Sequence, residues 1–575
     1  MDNAIGRWPP RRRLAVSVVV ALAATLHFAP TIAQSADNTA QELLRQQERE
    51  RALRDQQDTT PDVRLQRPTQ IAPDRLPSDE TPCFPIHQIH LEGEDASHFQ
   101  WALKAANPSD DPATGRCLGT AGISVVMKRI QNAIVARGYV TTRVLAKPQD
   151  LHSGLLTLTV IPGRIRAIRF APGTDARATS WLDALAARPG DLLNLRDIEQ
   201  ALENFKRVPT VDADIQIAPA DGDAQPGESD LMIVWKQSSP MRLAVTLDDS
   251  GSEATGKLQG GATLSLDNLL TWNDLFYANL GQAVFDGDGR GTRSYTIHYD
   301  VPYGNWLLGA NASGYTYHQT VAGYAANYVY SGTSHNADVR LSRLLYRNAT
   351  IKAGAYLRAW ERDSNNFVDD TEVLVQRRRQ GGWEAGFTYK QFLGTATLDA
   401  DAAYRRGTGA FNALHAPEEL FNDGTSRSQL ITADAQLTAP FQLGDQHFRY
   451  IGSWRAQWNQ TPLVPQDRFA IGGRFTVRGF DGELSLMGEH GWLIRNDLGW
   501  TVSGGQELYL GADVGHVGGP STQWQLGQTL AGGVIGLRGG WHGLTWDVFT
   551  GAPIAKPRGF KTASTTTGFN LSWSY

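Results

Sequence analysis

The sequence predicts an all-β membrane protein: a sixteen-stranded transmembrane barrel, preceded by two small α+β modules and an N-terminal plug helix. Three observations carry this. The N-terminus reads as an export signal. The 337 residues from 239 on (575 − 238) are dominated by stretches that alternate apolar and polar residues, the period-two pattern of a strand. Asp, Arg and Lys recur on the second face of those stretches. A wet lumen behind a lipid-facing wall accommodates them better than a soluble core does.

Composition agrees. The chain has 575 residues, enough for several domains. Charged residues make up 20% and the net charge is −5, which gives no sign of nucleic-acid binding. The 58 Gly, with 16 Trp, 17 Tyr and 20 Phe, suit many strands with glycine turns and aromatic girdles. Residues 1–36 read as a signal peptide: basic Arg11 to Arg13, then a 13-residue apolar run from Leu14 to Leu26, with cleavage after Ala33 or Ala36. That run is too short to span a bilayer, and no later stretch reaches 18 uninterrupted apolar residues. Export makes a disulfide between the two cysteines, Cys83 and Cys117, the expectation. The alternative is two free buried thiols.

Residues 37–57 form the expected helix, begun by the capping-box pattern Thr39-Ala40-Gln41-Glu42. Apart from Leu43, Leu44, Ala52 and Leu53 it is polar all round, so it cannot dock through a broad apolar stripe. It is either a solvated terminus or a plug in a polar channel. Residues 58–82 carry Pro61, Pro68, Pro73, Pro77 and Pro82 and read as an extended, semi-rigid linker. Residues 83–165 turn globular. A first strand lies around Ile86 to Leu91, and Ile123, Val126, Met127, Ile130 and Ile134 fall at helical spacing, stopped by Gly138. Strands follow at Val140–Leu145 and Leu155–Ile161. Residues 166–238 repeat that order: a strand at Arg166–Phe170, a short helix at Ser180–Ala186, a helix at Leu195–Val208 capped by Asn194, then strands near Ala213–Ile217 and Asp230–Trp235. Both modules read β-α-α-β-β.

From 239 to 575 sixteen strands are expected. They begin near residues 241, 260, 274, 293, 306, 334, 349, 380, 395, 428, 446, 491, 506, 528, 541 and 566. Strands eleven and twelve are joined by a long loop, 461–491, rich in glycine and too long for a tight turn. It carries Phe475-Thr476-Val477-Arg478-Gly479-Phe480-Asp481. In the later stretch Glu507 to Gly515, Leu508, Leu510, Ala512 and Val514 share one face, and Asp513 shares the other with Tyr509, Gly511 and Gly515. If the apolar face meets lipid, Asp513 points inward and needs a partner. Arg478, on a loop long enough to fold back, can supply a bidentate one. In a wet lumen such a pair is expected to contribute about 1–3 kcal/mol.

In this order the parts resemble the outer-membrane transporters of two-partner secretion, the TpsB group of the Omp85 superfamily, which includes the filamentous-haemagglutinin and haemolysin transporters. Val477-Arg478-Gly479-Phe480 resembles the tip motif of that family's barrel loop, and Leu510 to Gly515 its barrel-strand motif ending Asp-x-Gly. Phe480 stands where Tyr is common. Gly138 to Thr142 and Val160 to Gly163 are similar to signatures of a first POTRA domain. Asn204 to Val208 and Pro226 to Leu231 are similar to those of a second. The resemblance implies periplasmic POTRA domains, an Arg478–Asp513 pair and a secreted TpsA-like exoprotein as partner. The last strand alternates with Phe569, Leu571, Trp573 and Tyr575 on its lipid face, so outer-membrane lipid and the barrel assembly machinery, addressed through that C-terminal strand ending at Tyr575, are further expected partners.

Other classes fit less well. An Omp85-type assembly factor is the main alternative; two modules and a polar helix favour a transporter. A barrel enzyme would need a nucleophile tied to His490, His516 or His542, and no such tie is visible. No metal-ligand cluster and no Gly-x-x-x-x-Gly-Lys-Ser/Thr motif stand out, so no cofactor is expected. A passive porin would leave the two modules without a role.

Overall fold

The computed structural model describes residues 40–57, 61–65, 75–174, 179–220, 222–285, 287, 289–324 and 326–575. The expected signal, 1–36, and Thr39 of the capping box lie outside the described residues.

Sixteen spanning strands pair antiparallel in sequence order, and the last, Thr566–Ser574, closes on the first, Met241–Asp248. The two-residue strand Thr371–Glu372 only extends one hairpin. Closure pairs the wall's backbone groups round the ring, which a bilayer demands. The alternation sorts the faces. In the thirteenth strand, Glu507–Gly518, the residues Glu507, Tyr509, Gly511, Asp513 and Gly515 are buried while Leu508, Leu510 and Ala512 are exposed. The exposed set is the lipid face. The sixth strand differs from expectation: it spans Asn327–Arg347, 21 residues, and starts well before residue 334. Its first residues, Asn327 to Thr333, lack a clean alternation. Backbone pairing with Thr316 to Ala322 and packing of Tyr330 with Tyr315 and Tyr317 extend it instead.

The first module has a sheet in the order Gln88–Glu92, Leu155–Ile161, Arg143–Leu145. The helix Thr120–Ala136 packs on it through buried Val126, Ile130 and Ile134. Cys83 and Cys117 are disulfide-bonded, with Cα atoms 5.3 Å apart. The second module has the order Arg164–Phe170, Glu228–Gln237, Val211–Pro219, covered by the helix Leu195–Lys206. Asn194 caps that helix, its side chain accepting from the Arg196 N–H. The expected helix at Ser180–Ala186 is instead a run of turns. The Arg188 side chain donates to the carbonyls of Leu182 (2.9 Å) and Ala187 (3.2 Å), acceptors a helix would use, and Pro189 blocks continuation.

The described parts of the Pro-rich stretch are not free. Glu80 accepts from the N–H groups of Gly119 (2.7 Å), Ala121 (2.9 Å) and Gly122 (3.0 Å), an anionic cap on the helix Thr120–Ala136. Val63 and Leu65 donate their N–H groups to Glu203 and Glu199, each at 3.0 Å. Those carboxylates also take Arg347, from the barrel's sixth strand, at 3.0 Å and 3.2 Å. Arg207 and Asn204 complete the seat: Arg207 Nη2 reaches Asp300 Oδ2 at 2.8 Å, and Asn204 donates to the Gly304 carbonyl at 2.8 Å. Thus the second module rests on one rim of the barrel through buried polar groups.

Candidate functional site inside the barrel

The loop 461–491 folds back into the lumen and has structure of its own, a short hairpin of Phe469–Ile471 with Leu486–Gly488. Phe469, Ile471, Val477, Phe480, Leu486, Leu493, Val517, Leu530 and Phe560 form an apolar core between loop and wall. Phe480 packs edge-on against Phe560, with ring centroids 5.9 Å apart.

That core brings Arg478 to the wall. Its Nε donates to Asp513 Oδ2 at 2.7 Å and its Nη2 to Asp513 Oδ1 at 2.8 Å, a fork-to-fork contact. Its backbone N–H also reaches Asp513 Oδ2, at 3.0 Å. Nη2 donates further to Asp497 Oδ1, at 2.6 Å, on the twelfth strand. Arg495 stands 3.9 Å from Asp513 and Arg538 3.7 Å from Asp497. The Arg478 and Asp513 side chains are only 5% and 1% exposed. The pair is therefore dry, not the wet contact the sequence suggested. Removing one partner of a buried pair leaves an uncompensated charge and costs about 3–5 kcal/mol.

Glycines make room for the tip. Gly479 has φ 89°, and a Cβ there would lie 2.5 Å from the Ala552 carbonyl oxygen. A Cβ on Gly515 would meet Val477 and Ile471 at 2.9 Å. The wall is thus shaped to the loop backbone as well as charged for its Arg.

The helix over 40–57 shares the lumen. Its contacts are polar and reach round the wall: Arg49 to Gln259 (2.9 Å), Arg51 to Asp434 (2.8 Å), Glu48 to Arg455 (2.6 Å), and Glu42 to the Tyr315 hydroxyl. Arg45 donates to the Gly482 carbonyl at 2.6 Å, tying helix to loop. A cavity of about 410 Å³ remains between helix, loop and wall. Among the described residues no cluster of His, Cys, Asp and Glu is arranged to hold a metal ion.

Residues 227–539 match the haemolysin secretion/activation protein family ShlB/FhaC/HecB. Residues 84–163 match a ShlB-type POTRA domain and residues 164–219 a second POTRA domain. The outer membrane transporter CdiB-2 of Burkholderia pseudomallei is 37% identical, over 97% of this chain and 98% of its own. The chain belongs to this family. The structure of CdiB from Acinetobacter baumannii superposes with a TM-score of 0.83 at 30% identity, covering 94% of this chain and 99% of that one. The haemolysin transporter ShlB of Serratia marcescens is 23% identical over 76% of each chain. This family member is an outer-membrane transporter of two-partner secretion, with its POTRA domains in the periplasm.

Sequence reasoning named Val477, Arg478, Gly479, Phe480, Asp513 and Gly515, and the fold brings all six together. It missed Asp497, Gly532 and Glu42. Asp497 carried a signal: it lies on a strand beside Arg495, and two inward charges of opposite sign invite a network. Gly532, where a Cβ would fall 1.8 Å from the Arg478 carbonyl oxygen, carried none, being one of many glycines.

Proposed function

We propose that this transporter carries one large, unfolded exoprotein from the periplasm through the barrel lumen to the cell surface. In this reading the POTRA pair receives the passenger. The strand Val211–Pro219 lies at the edge of its sheet and offers unpaired backbone groups to an extended segment. The helix over 40–57 is the resting plug, and the Arg478–Asp513 pair positions the loop for passage. The C-terminal strand ending at Tyr575 addresses the barrel assembly machinery. The protein performs no catalysis and needs no cofactor.

One observation supports this above the rest. The lumen is filled by two segments of the chain itself, and the helix is held by polar side-chain bonds instead of a strand ladder. Such bonds exchange for water at small net cost, so the helix can leave. The test compares surface and periplasmic proteins with and without this protein. One large species should vanish from the surface and remain in the periplasm. A general loss of barrel proteins would instead favour an assembly factor.

A further inference from the structure

The joint between the last strand and the first is the shortest between spanning neighbours among the described residues. It has five residue pairs, from Asn570↔Asp248 to Ser574↔Ala244, with Tyr575 and Leu243 exchanging bonds at its periplasmic end. The first strand keeps eight pairs with its other neighbour. Continuing the register, the next pair toward the outside would be Phe569 with Asp249. Residues 571 and 247 lie in the same set as 575 and 243, so Phe569 turns its N–H and C=O toward this joint.

The ladder does not continue there, yet neither group is left bare. Phe569 N–H donates to Asp249 Oδ1 at 2.9 Å. The Phe569 carbonyl accepts from Arg474 Nη2 at 3.0 Å. Arg474 Nη1 closes the triangle on Asp249 Oδ1 at 2.7 Å. Asp249 and Arg474 are 12% and 18% exposed in their side chains. A carboxylate and a guanidinium thus stand in for one backbone pair. Arg474 belongs to loop 461–491, four residues before Arg478.

We infer that Arg474 and Asp249 form a latch on the barrel seam, worked by the loop. While Arg478 sits on Asp513, Arg474 is held over Phe569 and the seam is one bond pair longer than its ladder. When the loop tip leaves the wall, Arg474 leaves with it. The Phe569 carbonyl then loses its donor, Asp249 loses its counter-charge, and beyond its ladder and the Tyr575–Leu243 bonds the seam keeps only the Phe569 N–H bond to Asp249. The two residues are positioning residues: they set how readily the wall parts beside the channel. The inference uses the transport reading only for its purpose, since the latch can be tested with no passenger present.

The test is conductance of the full protein in planar bilayers, with a removable lock on the seam. Thr246 and Ser572 face each other across the joint as a non-hydrogen-bonded pair, the kind whose side chains approach most closely. Thr246→Cys with Ser572→Cys supplies the lock. Arg474→Ala and Asp249→Asn should each raise the frequency of large openings about tenfold, the change expected from one lost charge-assisted hydrogen bond. Oxidising the lock should return both to the wild-type frequency, and reducing it should restore the openings. Tyr404→Phe, which removes a 3.0 Å bond to Gln429 between the ninth and tenth strands, across the barrel from the seam, should leave the frequency unchanged. If Arg474→Ala yields no folded barrel, Asp249→Asn gives the same readout alone. Unchanged openings, openings that persist with the lock formed, or an equal rise in Tyr404→Phe would each overturn the latch.

Discussion

At the scale of single residues, the account rests on Arg478 serving two carboxylates at once. Asp513 takes the fork and Asp497 the remaining donor. Asp497→Asn should therefore weaken the anchor less than Asp513→Asn, and the two effects should not add. Loop proteolysis in the intact membrane measures this; equal and additive effects would remove Asp497 from the site. Arg478→Lys should restore the anchor only partly, because an ammonium lacks the planar fork. A different residue sets a pH dependence. Burial pushes the Asp197 carboxyl, on the second POTRA helix, up to about 6, with Asp191 adding to the effect. A carboxyl raised in the folded state binds its proton more tightly there than in the unfolded chain. Its contribution to stability is then full below about pH 4 and is lost as pH rises toward 6. Asp197→Asn should protect the amides of the helix Leu195–Lys206 better than wild type at pH 7 and equally at pH 4. Equal protection at both would contradict the assignment.

At the scale of elements, the helix over 40–57 was legible in part. Its missing apolar stripe excluded ordinary docking, which left lumen or solvent, but no pattern in 40–57 names Gln259, Asp434 or Tyr315 as partners. Those contacts depend on the curvature of the closed wall. Deleting residues 39–57 should raise conductance in planar bilayers and leave secretion intact; unchanged conductance would deny the plug role. The run Ser180–Ala186 misled for a local reason: apolar residues at helical spacing meet a side chain, Arg188, that competes for their carbonyls. The signature Asn204 to Val208 was legible only as a resemblance. The fold gives it a physical reason, because Asn204 and Arg207 seat the second POTRA domain on the barrel.

At the scale of the whole molecule, strand order and number followed from alternation, because lipid on one face and lumen on the other leave period two almost undisturbed. The loop's depth did not follow, since burial of Arg478 depends on an apolar core in which the loop's own Phe469, Val477 and Leu486 meet Leu530 and Phe560 from two distant stretches. Assembly should depend on the last strand, where Phe569, Leu571 and Trp573 alternate with Asn570 and Ser572 and the chain ends at Tyr575. Deleting Trp573 to Tyr575 removes two of the five seam pairs and the Tyr575–Leu243 bonds. It should leave little heat-modifiable barrel in the outer membrane; normal amounts would contradict the role given to that strand.

The central claim is that a correctly inserted barrel transports only when its loop is anchored. The most direct measurement pairs two readouts on Arg478→Ala: heat-modifiability of the barrel in outer-membrane fractions, and the amount of exported protein at the surface. The account predicts a folded barrel at wild-type abundance with surface export reduced to near the level of the deletion strain. Wild-type export from Arg478→Ala would contradict it.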